Sequence, residues 1–155
     1  MRYRVCKSFE IESGHMLAKH PGRCRHPHGH SRRVDIVISA SDLDDADMVC
    51  DFKALKLAVS GFIDSFDHAL AVNSEDPEIG RLRDGPSGQR LVVFESEDPT
   101  TEVLARRIFE FVSDAFERGG SYTDAEGHAF ALRKGLTIER VRVTETSTSW
   151  AEYGL

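Results

Sequence analysis

Residues 24–38 read CRHPHGHSRRVDIVI, and the second half of that stretch decides the fold. Val34, Ile36 and Ile38 recur at every second position, the period of a β-strand with one buried face. Extended backwards, the same strand puts His28 and His30 on that face, at its mouth rather than in open solvent. Residues 3–13, YRVCKSFEIES, alternate in the same way through Tyr3, Val5, Phe9 and Ile11, and His15 has their parity. A hairpin of these two strands brings His15, His28 and His30 to one point.

Beyond the hairpin, the acidic stretch SDLDDAD reads as a solvated turn. Asp51 can cap a helix running to about Phe66, whose apolar face is Phe52, Leu55, Val59, Phe62, Ile63 and Phe66. Residues 73–97 read as a long loop holding one short strand at Leu91–Phe94. Asp98-Pro99 is expected to open a second helix, with Asp as cap and Pro at the first helical position. Its stripe is Leu104, Ile108, Phe111, Val112 and Ala115, and Gly119-Gly120 ends it. After a polar segment come a strand at Leu136–Glu145 and a short strand in SWAEYGL. The order strand, strand, helix, helix, strand, strand predicts an α+β domain spanning residues 1–155. Its four-stranded antiparallel sheet carries two helices on one face.

The bulk numbers narrow the function. A chain of 155 residues can bury a real core as one domain. A net charge of −6 argues against nucleic acid and against an anionic membrane as partner. No run of about 18 apolar residues is present to cross a bilayer, and MRYRVCKSFEIES contains no continuous apolar core of a signal peptide. Cys6, Cys24 and Cys50 are odd in number and widely spaced, which fits reduced thiols in the cytoplasm.

Three histidines with one coordination position left free are a catalytic zinc set. The plainer alternative is a crowded polar loop, which is the reading for His20 and His26. Cys24, four residues before His28, is either a fourth ligand that closes the site or a free thiol beside it. Asp67-His68 pairs an acid with an imidazole, suited to orienting a proton or equally to a helix C-terminus. Glu145 continues the parity of Val141 and Val143. A carboxylate on such a face needs a cation or a planar N–H pair, as a heterocycle with a guanidine-like edge provides.

Taken together, FEIESGH (9–15), CRHPHGH (24–30), CDFKALK (50–56), FDHALAVN (66–73), PTTEVLA (99–105) and VTET (143–146) resemble successive motifs of the 6-pyruvoyltetrahydropterin synthase superfamily. The C-x-x-x-H-G-H spacing is most similar to its bacterial 6-carboxytetrahydropterin synthase branch, which serves queuosine biosynthesis. The resemblance implies a tunnelling fold, with trimers stacked in pairs into a homohexamer and active sites between subunits. It implies Zn2+ on His15, His28 and His30, and Cys24 as catalyst. Asp67 and His68 would be an acid–histidine pair from a neighbouring subunit, Glu145 the pterin anchor, and Thr100, Thr101 and Glu102 accessory pterin contacts. The implied reaction is that of a zinc-dependent lyase. It converts 7,8-dihydroneopterin triphosphate to 6-carboxy-5,6,7,8-tetrahydropterin with loss of acetaldehyde and triphosphate. The sister branch loses triphosphate only, and a non-catalytic zinc module of the same fold is the remaining alternative. Lys19, Arg23, Arg25 and Arg32 are the nearby cations for the triphosphate. Residues 74–97 and 119–135 are longer than the compact bacterial pattern, and TSTSWAEY lacks a cysteine-containing tail.

Overall fold

The computed structural model of the chain describes every residue except Ser87, and the backbone but not the side chain of Gln89. Two 13-residue strands, β1 (Tyr3–His15) and β2 (His28–Ala40), form the predicted antiparallel hairpin. Their register pairs Phe9 with Val34, Ile11 with Arg32, Ser13 with His30 and His15 with His28. Directly opposed residues share a face, so this register alone gathers the three histidines. Val34, Ile36 and Ile38 are fully buried, each contributing roughly 1.5–3 kcal/mol of apolar burial. The outer end of β1 is less enclosed, and Tyr3 is exposed.

The sheet has six strands rather than four. Its order is β4-β3-β1-β2-β7-β8, with β3 at Leu70–Asn73, β4 at Leu91–Phe94, β7 at Thr137–Thr146 and β8 at Ser149–Gly154. The two added strands run parallel: β3 joins the histidine end of β1 through Gly14–Leu70 and His15–Ala71, and β4 lies along β3. The sheet is therefore mixed. LAVN is three apolar residues and an asparagine without alternation, buried over its last three residues, and its distant partners β1 and β4 make it a strand. Residues 119–135, read from sequence only as a polar segment, contain a separate hairpin of β5 (Gly120–Thr123) and β6 (Ala129–Leu132).

Helix α1 (Phe52–Asp64) begins as expected, with the Asp51 carboxylate accepting from Lys53 N at 2.7 Å. It buries Leu55, Val59 and Ile63, while Phe52 is exposed. A short helix α2 (Ile79–Asp84) lies within the long loop. The long helix α3 (Thr101–Arg118) packs Leu104, Ile108 and Val112 against the same core as β2 and β7, and it also buries Ala115. It ends at Gly119, whose φ of 61° only glycine adopts freely. Its start differs from expectation, because Thr100 is the cap and accepts from Val103 N at 3.3 Å. No helix of the described residues is long and apolar enough to cross a membrane.

Asp98, free of the capping role, has a larger task. Buried, it accepts from Ala18 N (3.1 Å), Lys19 N (2.8 Å) and Asn73 Nδ2 (2.9 Å), tying the β1–β2 connection to β3. Losing an exposed cap costs about 1 kcal/mol, whereas orphaning one buried donor and two part-buried ones costs roughly 1–3 kcal/mol for the buried donor and somewhat less for each of the others. Asp98→Ala should therefore lower stability by about 3 kcal/mol or more in denaturant titration. A loss near that of a simple cap would show that these donors find water instead.

Candidate functional site

The histidine rings at the hairpin's inner end, His15 buried and His28 and His30 half-buried, gather into one cluster. His15, His28 and His30 each offer a ring nitrogen within 4.8 Å of the others, and their ring centroids lie 4.5 to 5.1 Å apart. Two backbone carbonyls orient the rings. His28 Nδ1 lies 2.7 Å from the His26 carbonyl, and His15 Nδ1 lies 2.8 Å from the Pro99 carbonyl. A carbonyl only accepts, so both Nδ1 atoms carry the proton and both Nε2 atoms present lone pairs. This is the outer-shell arrangement of metal-bound imidazoles.

Nε2 of His28 and of His30 is buried and without a hydrogen-bond partner. Such atoms cost about 1–3 kcal/mol each unless something binds them. Burial pushes the His15 imidazole down to about 4 against the opposing pull of the Pro99 carbonyl, and burial followed by Arg32 also lowers His30. Convergent ring nitrogens, two of them buried and without a partner, fit a metal ion of the zinc type. Cys24 Sγ does not belong to the group. That residue sits half-buried in a single turn of 3-10 helix, Arg23–Arg25, and its carbonyl accepts from Leu17 N at 2.9 Å.

The wall of the site is an ion pair between half-buried Glu145 and a buried arginine, one that sequence alone places among the triphosphate cations. Arg32 is 2% exposed and points inward between β1, α3 and β7. Nε donates to Ser13 Oγ (3.1 Å), and Nη1 to Thr101 Oγ1 (2.8 Å) and to the Thr144 carbonyl (3.4 Å). Nη2 lies 3.4 and 3.5 Å from the two ring nitrogens of His15. The signal was present in the parity: position 32 lies between His30 and Val34 on the inward face. The two orienting carbonyls had no such signal, since any residue carries one.

Glu145 completes the wall. Its Oε2 accepts from the Thr101 hydroxyl and stands 3.9 Å from Arg32 Nη1, while Oε1 lies 3.7 Å from His30 Nε2. Burial works against this carboxylate, but the Thr101 hydrogen bond and then the Arg32 charge outweigh it, and its pKa lies below the ordinary glutamate range. Thr100 is occupied as the α3 cap, and Glu102 is exposed on the first helical turn.

Asp67 and His68 lie at an exposed corner between α1 and β3. Asp67 Oδ1 accepts from Glu12 N at 2.7 Å and Oδ2 meets His68 Nδ1 at 2.9 Å. These bonds, the first more than the second, hold the Asp67 carboxyl below its usual range. His68 takes a left-handed backbone (φ 51°), and Arg90 of the long loop donates to the carbonyls of both residues. An open cleft of about 590 Å³ runs between His68 and His30.

The relatives point the same way. A 6-carboxy-5,6,7,8-tetrahydropterin synthase of Aquifex aeolicus is 28% identical over 170 residues, covering 99% of this chain and 98% of the relative. That of Rickettsia bellii is 34% identical over 106 residues, covering 68% of this chain and 76% of the relative. Among solved structures, the 6-pyruvoyl tetrahydropterin synthase of Plasmodium vivax superposes with a TM-score of 0.67, covering 100% of this chain and 99% of that one. At 14% identity that likeness concerns the fold alone. Residues 4–154 match the family model of 6-pyruvoyl tetrahydropterin synthase, and with the hairpin and its three imidazoles in place, this chain belongs to that family.

Proposed function

We propose that the chain is a zinc-dependent lyase of the cytoplasm. It converts 7,8-dihydroneopterin triphosphate to 6-carboxy-5,6,7,8-tetrahydropterin with loss of acetaldehyde and triphosphate, a step that serves queuosine biosynthesis. The observation that carries this reading is the set of convergent imidazole lone pairs, two of them buried and unpartnered, beside an inward carboxylate. The names of the bacterial relatives support 6-carboxy-5,6,7,8-tetrahydropterin as the product.

His15, His28 and His30 would hold the zinc, which when bound supplies Lewis acidity for oxygen on the substrate side chain. Glu145 takes the donor edge of the pterin, with Thr100, Thr101 and Glu102 beside it. Cys24, outside the ligand group yet in the connection between β1 and β2, moves protons on the side chain as a base. Asp67 fixes the ring of His68, and the exposed pair would complete the relay in the site of a neighbouring subunit of a homohexamer. Exposed Arg23 and Arg25, and Arg81 across a cavity of about 600 Å³ from Arg25, supply cations for the triphosphate. The whole chain, residues 1–155, acts as one domain.

Incubation with dihydroneopterin triphosphate followed by mass analysis tests the product. 6-Carboxytetrahydropterin with acetaldehyde is expected, and a pterin that retains its full side chain would move the enzyme to the sister reaction. Glu145→Gln tests the anchor, because it keeps the volume but turns a donor toward the ligand's own donors. The variant should bind substrate about 100-fold more weakly, as lost charged hydrogen bonds do, while holding zinc normally. Unchanged affinity would leave Glu145 as a structural acid.

A further inference from the structure

Arg32 is the largest of the fully buried side chains, and a guanidinium is an expensive way to fill a core. Replacing a buried ion pair with well-packed apolar residues is often neutral or stabilising, so packing alone does not account for it. Its contacts are directional. Arginine only donates and an ionised carboxylate only accepts, so the hydroxyl between them must accept from one and donate to the other. Thr101 Oγ1 does this: it receives Arg32 Nη1 at 2.8 Å and gives its proton to Glu145 Oε2. The guanidinium is itself fixed by Ser13 on β1 and the Thr144 carbonyl on β7. One carboxylate oxygen is thus met directly by α3, through Thr101, while β1 and β7 reach it only by fixing the guanidinium.

We propose that Arg32 is a positioning residue for Glu145: acting through the Thr101 hydroxyl, it holds Oε2 and leaves Oε1 as the acceptor that meets a ligand N–H. This rests on the reading of Glu145 as the pterin anchor and sharpens it in two ways. Thr101 becomes a link behind the anchor rather than a contact of the ligand. Arg32, with its side chain 1% exposed, is removed from the triphosphate cations. Chains of this kind polarise one another, so cutting any link weakens the whole acceptor.

The cleanest variant is Thr101→Val, which deletes the hydroxyl at nearly constant volume and leaves Arg32 in place. Its KM for dihydroneopterin triphosphate should rise roughly 10–100-fold, the loss of a charged hydrogen bond, with kcat little changed and one zinc per subunit retained. Thr101→Ser keeps the hydroxyl and should recover most of that affinity. Arg32→Lys keeps the charge but loses the fork, and should shift KM in the same direction as Thr101→Val. Because both act through Glu145, adding Thr101→Val to Glu145→Gln should raise KM by no more than about twofold. Effects that multiply, or that fall on kcat with KM unchanged, would overturn the proposal.

A readout without substrate separates this from the reaction assignment. In methyl-TROSY spectra, Arg32→Lys and Glu145→Gln should each move the Thr101 γ-methyl resonance, and the double variant should move it no further than the larger single shift. A resonance unmoved by Arg32→Lys would sink the relay whatever the enzyme turns over. A wild-type protein inert toward dihydroneopterin triphosphate, with the resonance coupled as described, would sink the reaction assignment and leave the relay standing.

Discussion

His28→Ala should give a folded protein that binds no zinc and turns over no substrate. The ring loses its place in a three-imidazole set whose members lie within 4.8 Å of one another, and two imidazoles alone do not make a tight site. Loss of an outer-shell partner already costs about 10–100-fold in affinity or activity, and loss of a ligand should exceed that. Stability should respond in opposite directions with and without metal. In chelator, wild type carries two buried Nε2 atoms without partners, on His28 and His30. The substitution removes one such penalty of roughly 1–3 kcal/mol, so the metal-free variant should melt no lower than metal-free wild type. With zinc a thousandfold above its Kd, wild type should gain about 4 kcal/mol, on the order of 10 °C in Tm, and the variant should gain nothing. Elemental analysis showing full zinc occupancy in His28→Ala would defeat the ligand assignment.

Cys24→Ala should do the reverse, keeping its zinc and losing turnover. Cys24 lies outside the ligand group, in a one-turn segment whose backbone bond to Leu17 does not depend on the side chain. A positioned acid–base group is worth about 10²–10⁴-fold, so kcat should fall by that factor while zinc per subunit and Tm stay at wild-type values. If zinc leaves with the thiol, the site is a closed four-ligand structural one and the proposed reaction is lost with it.

Both experiments turn on residues that stand out in the sequence alone, and for the histidines the reason is period. Strand parity is local, so the alternation of Val34, Ile36 and Ile38 carries back to His28 and His30, and that of Phe9 and Ile11 reaches His15. Helix α1 with its Asp51 cap, and the glycine stop of α3, are legible on similar grounds: both signals lie within a few residues of the feature they specify.

Where the sequence misleads, the cause is distance along the chain. LAVN becomes a strand by pairing with Gly14 and His15, more than fifty residues earlier, and with Leu91–Phe94; local pattern marks Leu91–Phe94 as a strand but does not place it in the sheet, so four strands are expected there where the sheet has six. Asp98 looks like a cap from its neighbours alone; its partners are Ala18, Lys19 and Asn73, and the cap lies two residues further on at Thr100. Arg32 has the parity of the histidines in plain view. What a charged residue does on an inward face depends on the groups that meet it, and Thr101 and Glu145 arrive from 69 and 113 residues away in sequence, a convergence that only the pairing of β7 beside the hairpin and the packing of α3 create.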